Sequence, residues 1–118
     1  MKIASILLAC LIMASCQPGG PLSPLITAAR EGDTAKLSQL IEAGADPDER
    51  GGVNDWTPLM HAVHKKQLAS VKALLAAGAN PNLTAGAEGR DTALSLAEAE
   101  GYAEITIALR DHGAKPSQ

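Results

Sequence analysis

Apolar side chains in this chain follow two patterns. From Ile3 to Met13 they run almost without a break. Further on they come as short stripes at helical spacing, Leu59, Ala62 and Val63, then Val71, Leu74 and Leu75. The stripes belong to a unit that returns. It reads Pro24-Leu25…Leu40-Ile41…Gly44-Ala45-Asp46-Pro47, then Pro58-Leu59…Leu74-Leu75…Gly78-Ala79-Asn80-Pro81, then Ala93-Leu94…Leu109…Gly113-Ala114-Lys115-Pro116. Leu25, Leu59 and Leu94 stand 34 and 35 residues apart, and so do Ala45, Ala79 and Ala114. A fixed period of this size marks a stack of repeats in which no unit can bury its apolar face alone.

Each unit carries its own punctuation. Thr57 can cap the free N–H groups of a first helix, and Pro58 sits where its missing donor costs nothing. Ser23-Pro24 does the same, whereas Thr92-Ala93 keeps the cap and loses the proline. Gly44, Gly78 and Gly113 follow the second helices, where a left-handed residue is easiest. Ala79-Asn80-Pro81-Asn82 then leads into an extended loop, because a residue before proline avoids the helical region.

These motifs resemble ankyrin repeats. The second copy is the clearest, with Asp55-Trp56-Thr57-Pro58-Leu59-Met60-His61-Ala62-Val63 followed by Val71 to Asn82, and the likeness covers residues 23 to 116. The resemblance implies an all-α solenoid of stacked helix-turn-helix units joined by hairpin-like loops. Three repeats are expected, at about 23–56, 57–91 and 92–116. Residues 23–48 and 92–116 read as caps, because Lys36 and Arg110 replace apolar residues of the family's second helix and a terminal unit has one face without a neighbour. Met60 stands in place of the family's histidine, so the bonds made by that histidine are expected to be lost. Lys66 stands where the first and third units have Gly32 and Gly101, and a residue other than glycine there predicts backbone strain; Asp55 stands where the family's hairpin usually has glycine. Loop 83–91 holds one extra residue and two glycines, which predicts an irregular hairpin.

The apolar run near the start is about half the ~20 residues that a membrane-crossing helix needs. Behind Lys2, and ending in Met13-Ala14-Ser15-Cys16, it resembles a bacterial lipoprotein signal peptide over residues 1–15, with Cys16 as the lipidated residue. An ordinary secretory signal beside a bystander cysteine is the alternative. Residues 16–22, rich in Pro and Gly, read as a tether. If Cys10 leaves with the signal and Cys16 is acylated, no thiol remains for a disulfide.

Removal of Lys2 leaves nine basic residues against thirteen acidic ones. Lys65-Lys66 is the one basic cluster, so a nucleic-acid partner is not expected. Phe is absent and Trp56 and Tyr102 are the only aromatics, so the core must be built from Ala, Leu, Ile and Val. No nucleophile elbow or phosphate loop appears, and no enzyme activity, cofactor or metal is expected.

The resemblance places the partner surface on hairpin tips and on the concave side of the first helices. On this chain the tips are Val53, Asn54 and Trp56, then Glu88 and Asp91. The helix positions are Arg30, Glu31, His64, Lys65 and Glu100, with Ala99 beside them. Trp56 is expected to be an exposed anchor, and the convex residues Glu42 and Lys72 are expected to tolerate change. The function these features suggest is a monomeric, lipid-anchored envelope protein facing the periplasm and binding an unidentified protein. Its role could be that of an immunity or inhibitor protein, an accessory to an envelope enzyme, or a scaffold. The membrane would be met through the anchor alone. The alternative is a metal- or small-ligand-binding protein that uses His61 and His64.

Overall fold

A computed structural model describes residues 22–52 and 54–115. Six helices occupy them: α1 Pro24–Glu31, α2 Thr34–Glu42, α3 Pro58–His64, α4 Leu68–Ala76, α5 Ala93–Glu100 and α6 Ala103–Asp111. The first helices, α1, α3 and α5, lie side by side as one layer, and α2, α4 and α6 form the other. The described residues contain no regular strand, only isolated antiparallel bridges at Gly51–Trp56 and Ala85–Asp91.

Caps start the first helices as the sequence predicts. Ser23 Oγ accepts from the Ile26 N–H at 3.1 Å and Thr57 Oγ1 from the Met60 N–H at 3.3 Å. In α5, Thr92 and Ser95 bond each other reciprocally at 3.0 and 2.9 Å. This box replaces the missing proline as the helix-starting device. Gly32 and Gly101 turn the chain into α2 and α6 with φ of 78° and 74°.

The core is periodic. Leu25, Leu59 and Leu94 are buried at matching places in the first helices, and Leu37 with Val71, then Leu74 with Leu109, at matching places in the second. Burial is uneven in the outer layer. Helix α4 buries Ser70, Val71, Leu74 and Leu75, whereas α2 buries only Leu37 fully. The reason is geometric: α4 has α2 on one side and α6 on the other.

The expected strain is present at Lys66, and Asp55 shares its left-handed backbone, which an aspartate adopts more easily. Asp55 has φ 55° and Lys66 φ 57°; the other two repeats have glycine at the place of Lys66, and the family pattern has it at the place of Asp55. The extra residue of loop 83–91 does not spoil its hairpin. Ala85 and Asp91 exchange two N–H···O bonds of 2.9 Å, and Gly86 and Gly89 absorb the insertion within the turn at φ 88° and 65°.

Neighbouring repeats are laced along two margins. On the hairpin margin Arg50 Nη1 donates to the Thr84 carbonyl (2.8 Å) and the Gly86 N–H to the Asn54 carbonyl (3.0 Å). Two residues before Arg50 in the same loop Asp48 Oδ1 accepts from the Asn80 N–H (2.8 Å), and on the other margin, at the helix turns, Gln67 Nε2 donates to the Arg30 carbonyl (3.0 Å). Back on the hairpin margin Asn82 repeats the Asp48 step towards the third repeat, accepting from the Lys115 N–H at 2.9 Å and donating to the Gly113 carbonyl at 3.1 Å.

Candidate partner-binding face

The helices of the first layer end at Glu31, His64 and Glu100, and these residues, with Lys65 after α3, are exposed. Glu31, Lys65 and Glu100, 34 and 35 residues apart, are equivalent places in successive repeats. They form a row of mixed charge, the arrangement that favours a specific protein surface over a polyanion. Ala99 is exposed beside Glu100.

Trp56 departs from expectation. It is only 8% exposed and therefore no free anchor. Its Nε1 donates to Asp91 Oδ2 at 3.0 Å, one repeat further along. Its ring meets His61 edge-on at 5.6 Å between centroids and lies tilted against His64 at 5.2 Å. An indole is too large to leave in water when a helix and the next hairpin can enclose it, and its N–H needs an acceptor once enclosed. Trp56 thus sits under the row and supports His64. Asp91, half-buried, is its partner and points inward to it. Among the other tip residues, Asn54 is exposed and Glu88 lies 3.6 Å from Arg90 in an open ion pair. Val53 and Cys16 lie outside the described residues.

His61 is the residue that sequence reasoning undervalued. It is 4% exposed. Its Nε2 lies 2.9 Å from the Gly51 carbonyl and its Nδ1 3.1 Å from Arg30 Nη1. A carbonyl and a guanidinium leave one consistent assignment: Nε2 carries the proton and Nδ1 accepts from Arg30. His61 thereby restores, from the next position, a histidine contact to the hairpin backbone that Met60 cannot make. Burial pushes its pKa below the usual histidine value, and the charges of Arg30 and His64 push the same way. The bond to Gly51 opposes them. Arg30 is half-buried and occupied by this bridge, and its carbonyl accepts from Gln67 Nε2 at 3.0 Å. With both ring nitrogens engaged, His61 offers none to a metal, so the pairing of His61 with His64 as ligands fails. Among the described residues no group of three His, Cys, Asp or Glu converges.

The structure therefore brings Arg30, Trp56, His61, His64 and Asp91 into one knot and leaves Glu31, Lys65 and Glu100 along the outer row. The knot had a faint signal. Trp56 and Asp91 both precede a capping threonine, so they are the same position in adjacent repeats, where an indole donor can meet a carboxylate acceptor.

Paired short helices stacked in two layers, with paired hairpins along one margin, define a helical-repeat array. The chain belongs to the ankyrin-repeat family: the model of ankyrin repeats in three copies matches residues 3–85 and 25–118. No curated protein matches. Among solved structures the chain is similar to the crystal structure of the human ASB11 ankyrin repeat domain, at 33% identity and a TM-score of 0.67. That likeness covers 80% of this chain and 41% of the other. Arrays of this family are modules for protein–protein interaction.

Proposed function

We propose that this protein is a lipid-anchored envelope component that holds a protein partner against the row formed by Glu31, His64, Lys65 and Glu100, flanked by the hairpins at Asn54 and Glu88. The observation that carries the binding reading is the exposure of Glu31, Lys65 and Glu100 at equivalent places in three consecutive repeats, with the Trp56–His61–Arg30 knot supporting the middle of the row at His64. A preorganised surface loses little freedom on binding. The anchor reading rests on the apolar run to Met13 and on Ala14-Ser15-Cys16. Several acyl chains hold a protein firmly to a bilayer, at about 0.8 kcal/mol for each buried CH₂. An immunity or inhibitor role, an accessory role and a scaffold role all use the same face, and the identity of the partner separates them.

Two measurements test this. Cys16→Ser should release the protein from membranes or leave an uncleaved precursor; unchanged fractionation would exclude the anchor. Lys65→Glu combined with Glu100→Lys should weaken the complex with a partner captured by in-cell crosslinking by at least about 2 kcal/mol, the scale of an interface hot spot. Glu42→Lys on α2 serves as the control in the opposite layer. Loss with the control and none with the pair would overturn the assignment of the face.

A further inference from the structure

The outer layer carries a feature that the inner row does not use. Between α4 and α6 run two adjoining hollows of about 290 and 240 Å³, which share Leu68 and Glu104. Their apolar floor is made by Leu68, Tyr102, Ile105 and Ile107. Ile107 is 59% exposed, the one large apolar side chain left open to solvent among the described residues. Ile105, Ala108 and Leu109 of the same helix are buried, so the helix is not loose, and Ile107 shares its open face with Glu104 and Asp111, three and four residues away, which line the same hollow.

The borders of the groove are of opposite sign. Lys66 and Lys72 stand on the α4 side, Glu104 and Asp111 on the α6 side. None of the four is in a salt bridge; the ion pairs among the described residues are Arg90–Glu88 and Arg110–Glu98. Lys66 adds an independent sign. It holds a left-handed backbone, φ 57°, at the turn where the other two repeats use glycine. Its Nζ lies 5.4 Å over the Tyr102 ring at the mouth of the groove. Strain kept at a position that glycine would fill without it points to a use for the side chain.

We propose that this groove is a second docking site, for an amphipathic helix of a partner protein. The stretch from Tyr102 to Asp111 spans about 15 Å at 1.5 Å per residue, the length of nearly three helical turns. A helix laid between two neighbouring helices presents one apolar stripe to them, read at i, i+3, i+4 and i+7. Such a helix would seat Leu-like residues over Leu68 and Ile107. It would set acidic residues against Lys66 and Lys72 and basic residues against Glu104 and Asp111. The two charged borders are the argument for this occupant: a purely apolar ligand would leave all four charges unmatched. The groove runs along the second helices and adjoins the inner row only at its mouth, by Lys66 and Gly101, so variants at Ile107 and Lys72 test it without touching the row. Lys72, expected from the sequence to be indifferent, becomes one of its edges.

The test uses three stapled helical peptides of 14 residues that share one leucine stripe. One has a glutamate edge and a lysine edge, one has two lysine edges, and one has two glutamate edges. Titrated into the ¹⁵N-labelled protein, the mixed peptide should shift amide signals of α4 and α6 and bind at least tenfold tighter than the other two. Ile107→Asp, at an exposed position that folding does not need, should abolish the shifts. Lys66→Glu with Lys72→Glu makes both borders acidic and should transfer the preference to the peptide with two lysine edges. An unchanged preference in that variant overturns the proposal, as do shifts that map to α1, α3 and α5. Sedimentation supplies the remaining outcome. A concentration-dependent dimer that Ile107→Asp dissolves, with no peptide bound, gives the groove to a second copy of the chain and overturns it too.

Discussion

Trp56 and His61 join what the chain keeps far apart. One indole ties the second repeat's cap to Asp91, and one imidazole ties the hairpin at Gly51 to Arg30 of the first repeat. Trp56→Ala should therefore cost about 3–5 kcal/mol in urea unfolding, the range for deleting a large buried side chain. Trp56→Phe keeps most of the packing and should lose about 1 kcal/mol with the indole bond. His61 makes stability depend on acidity. Folded, it is held neutral with a lowered pKa; unfolded, it takes a proton near pH 6.5. The unfolded chain thus binds more protons between the depressed value and 6.5, and stability rises with pH through that window and is lost on acidification. Urea midpoints between pH 5 and 8 should show the slope. His61→Gln, which can donate to Gly51 and accept from Arg30 without titrating, should flatten it. The knot was only partly legible beforehand. Helical periodicity places His61 on α3 but does not say that a loop carbonyl ten residues earlier folds back onto it. Trp56 reads as a tip residue because its enclosure depends on a hairpin of the following repeat.

At the scale of the helix, the second layer separates residues that matter from residues that tolerate change. Leu74 faces neighbours on both sides and is fully buried. Leu74→Ala should cost about 2–4 kcal/mol. Arg110 is exposed and its ion pair with Glu98, at 2.6 Å, is open to water. Such pairs contribute about 0–1 kcal/mol, so Arg110→Leu should change the melt little. Denaturation curves in the reverse order would contradict the burial pattern. Lys66→Gly tests the turn between α3 and α4. Relief of a left-handed side chain, worth roughly 1–2 kcal/mol, exceeds what glycine loses in chain freedom, so a small gain in stability is expected. Helix starts at Ser23, Thr57 and Thr92 and turns at Gly44, Gly78 and Gly113 were readable, because caps and left-handed residues act within a few residues of sequence. The openings of α4 and α6 were not, since Gln67 and Tyr102 make no side-chain cap bond. Those starts are set by tertiary packing: Gln67 is spent on the Arg30 carbonyl of the repeat before.

Across the whole molecule, each repeat touches only its neighbours, so stability is close to a sum of units and interfaces. The central unit alone has an interface on both sides. Amide hydrogen exchange should be slowest in α3 and α4 and faster in α2 and α6, and a maximum in an outer repeat would count against additive stacking. The lacing of the hairpin margin has a further consequence. Stacked apolar helices by themselves can fan or slide by an ångström at small penalty, but bonds such as Arg50 to Thr84, Asp48 to Asn80 and Asn82 to Gly113 fail over that distance. Laced along the hairpin border through all three repeats, the array works as a caliper with a set opening: the gap from Glu31 to Glu100 is a gauge, and the shape-fitting in any complex falls to the other molecule.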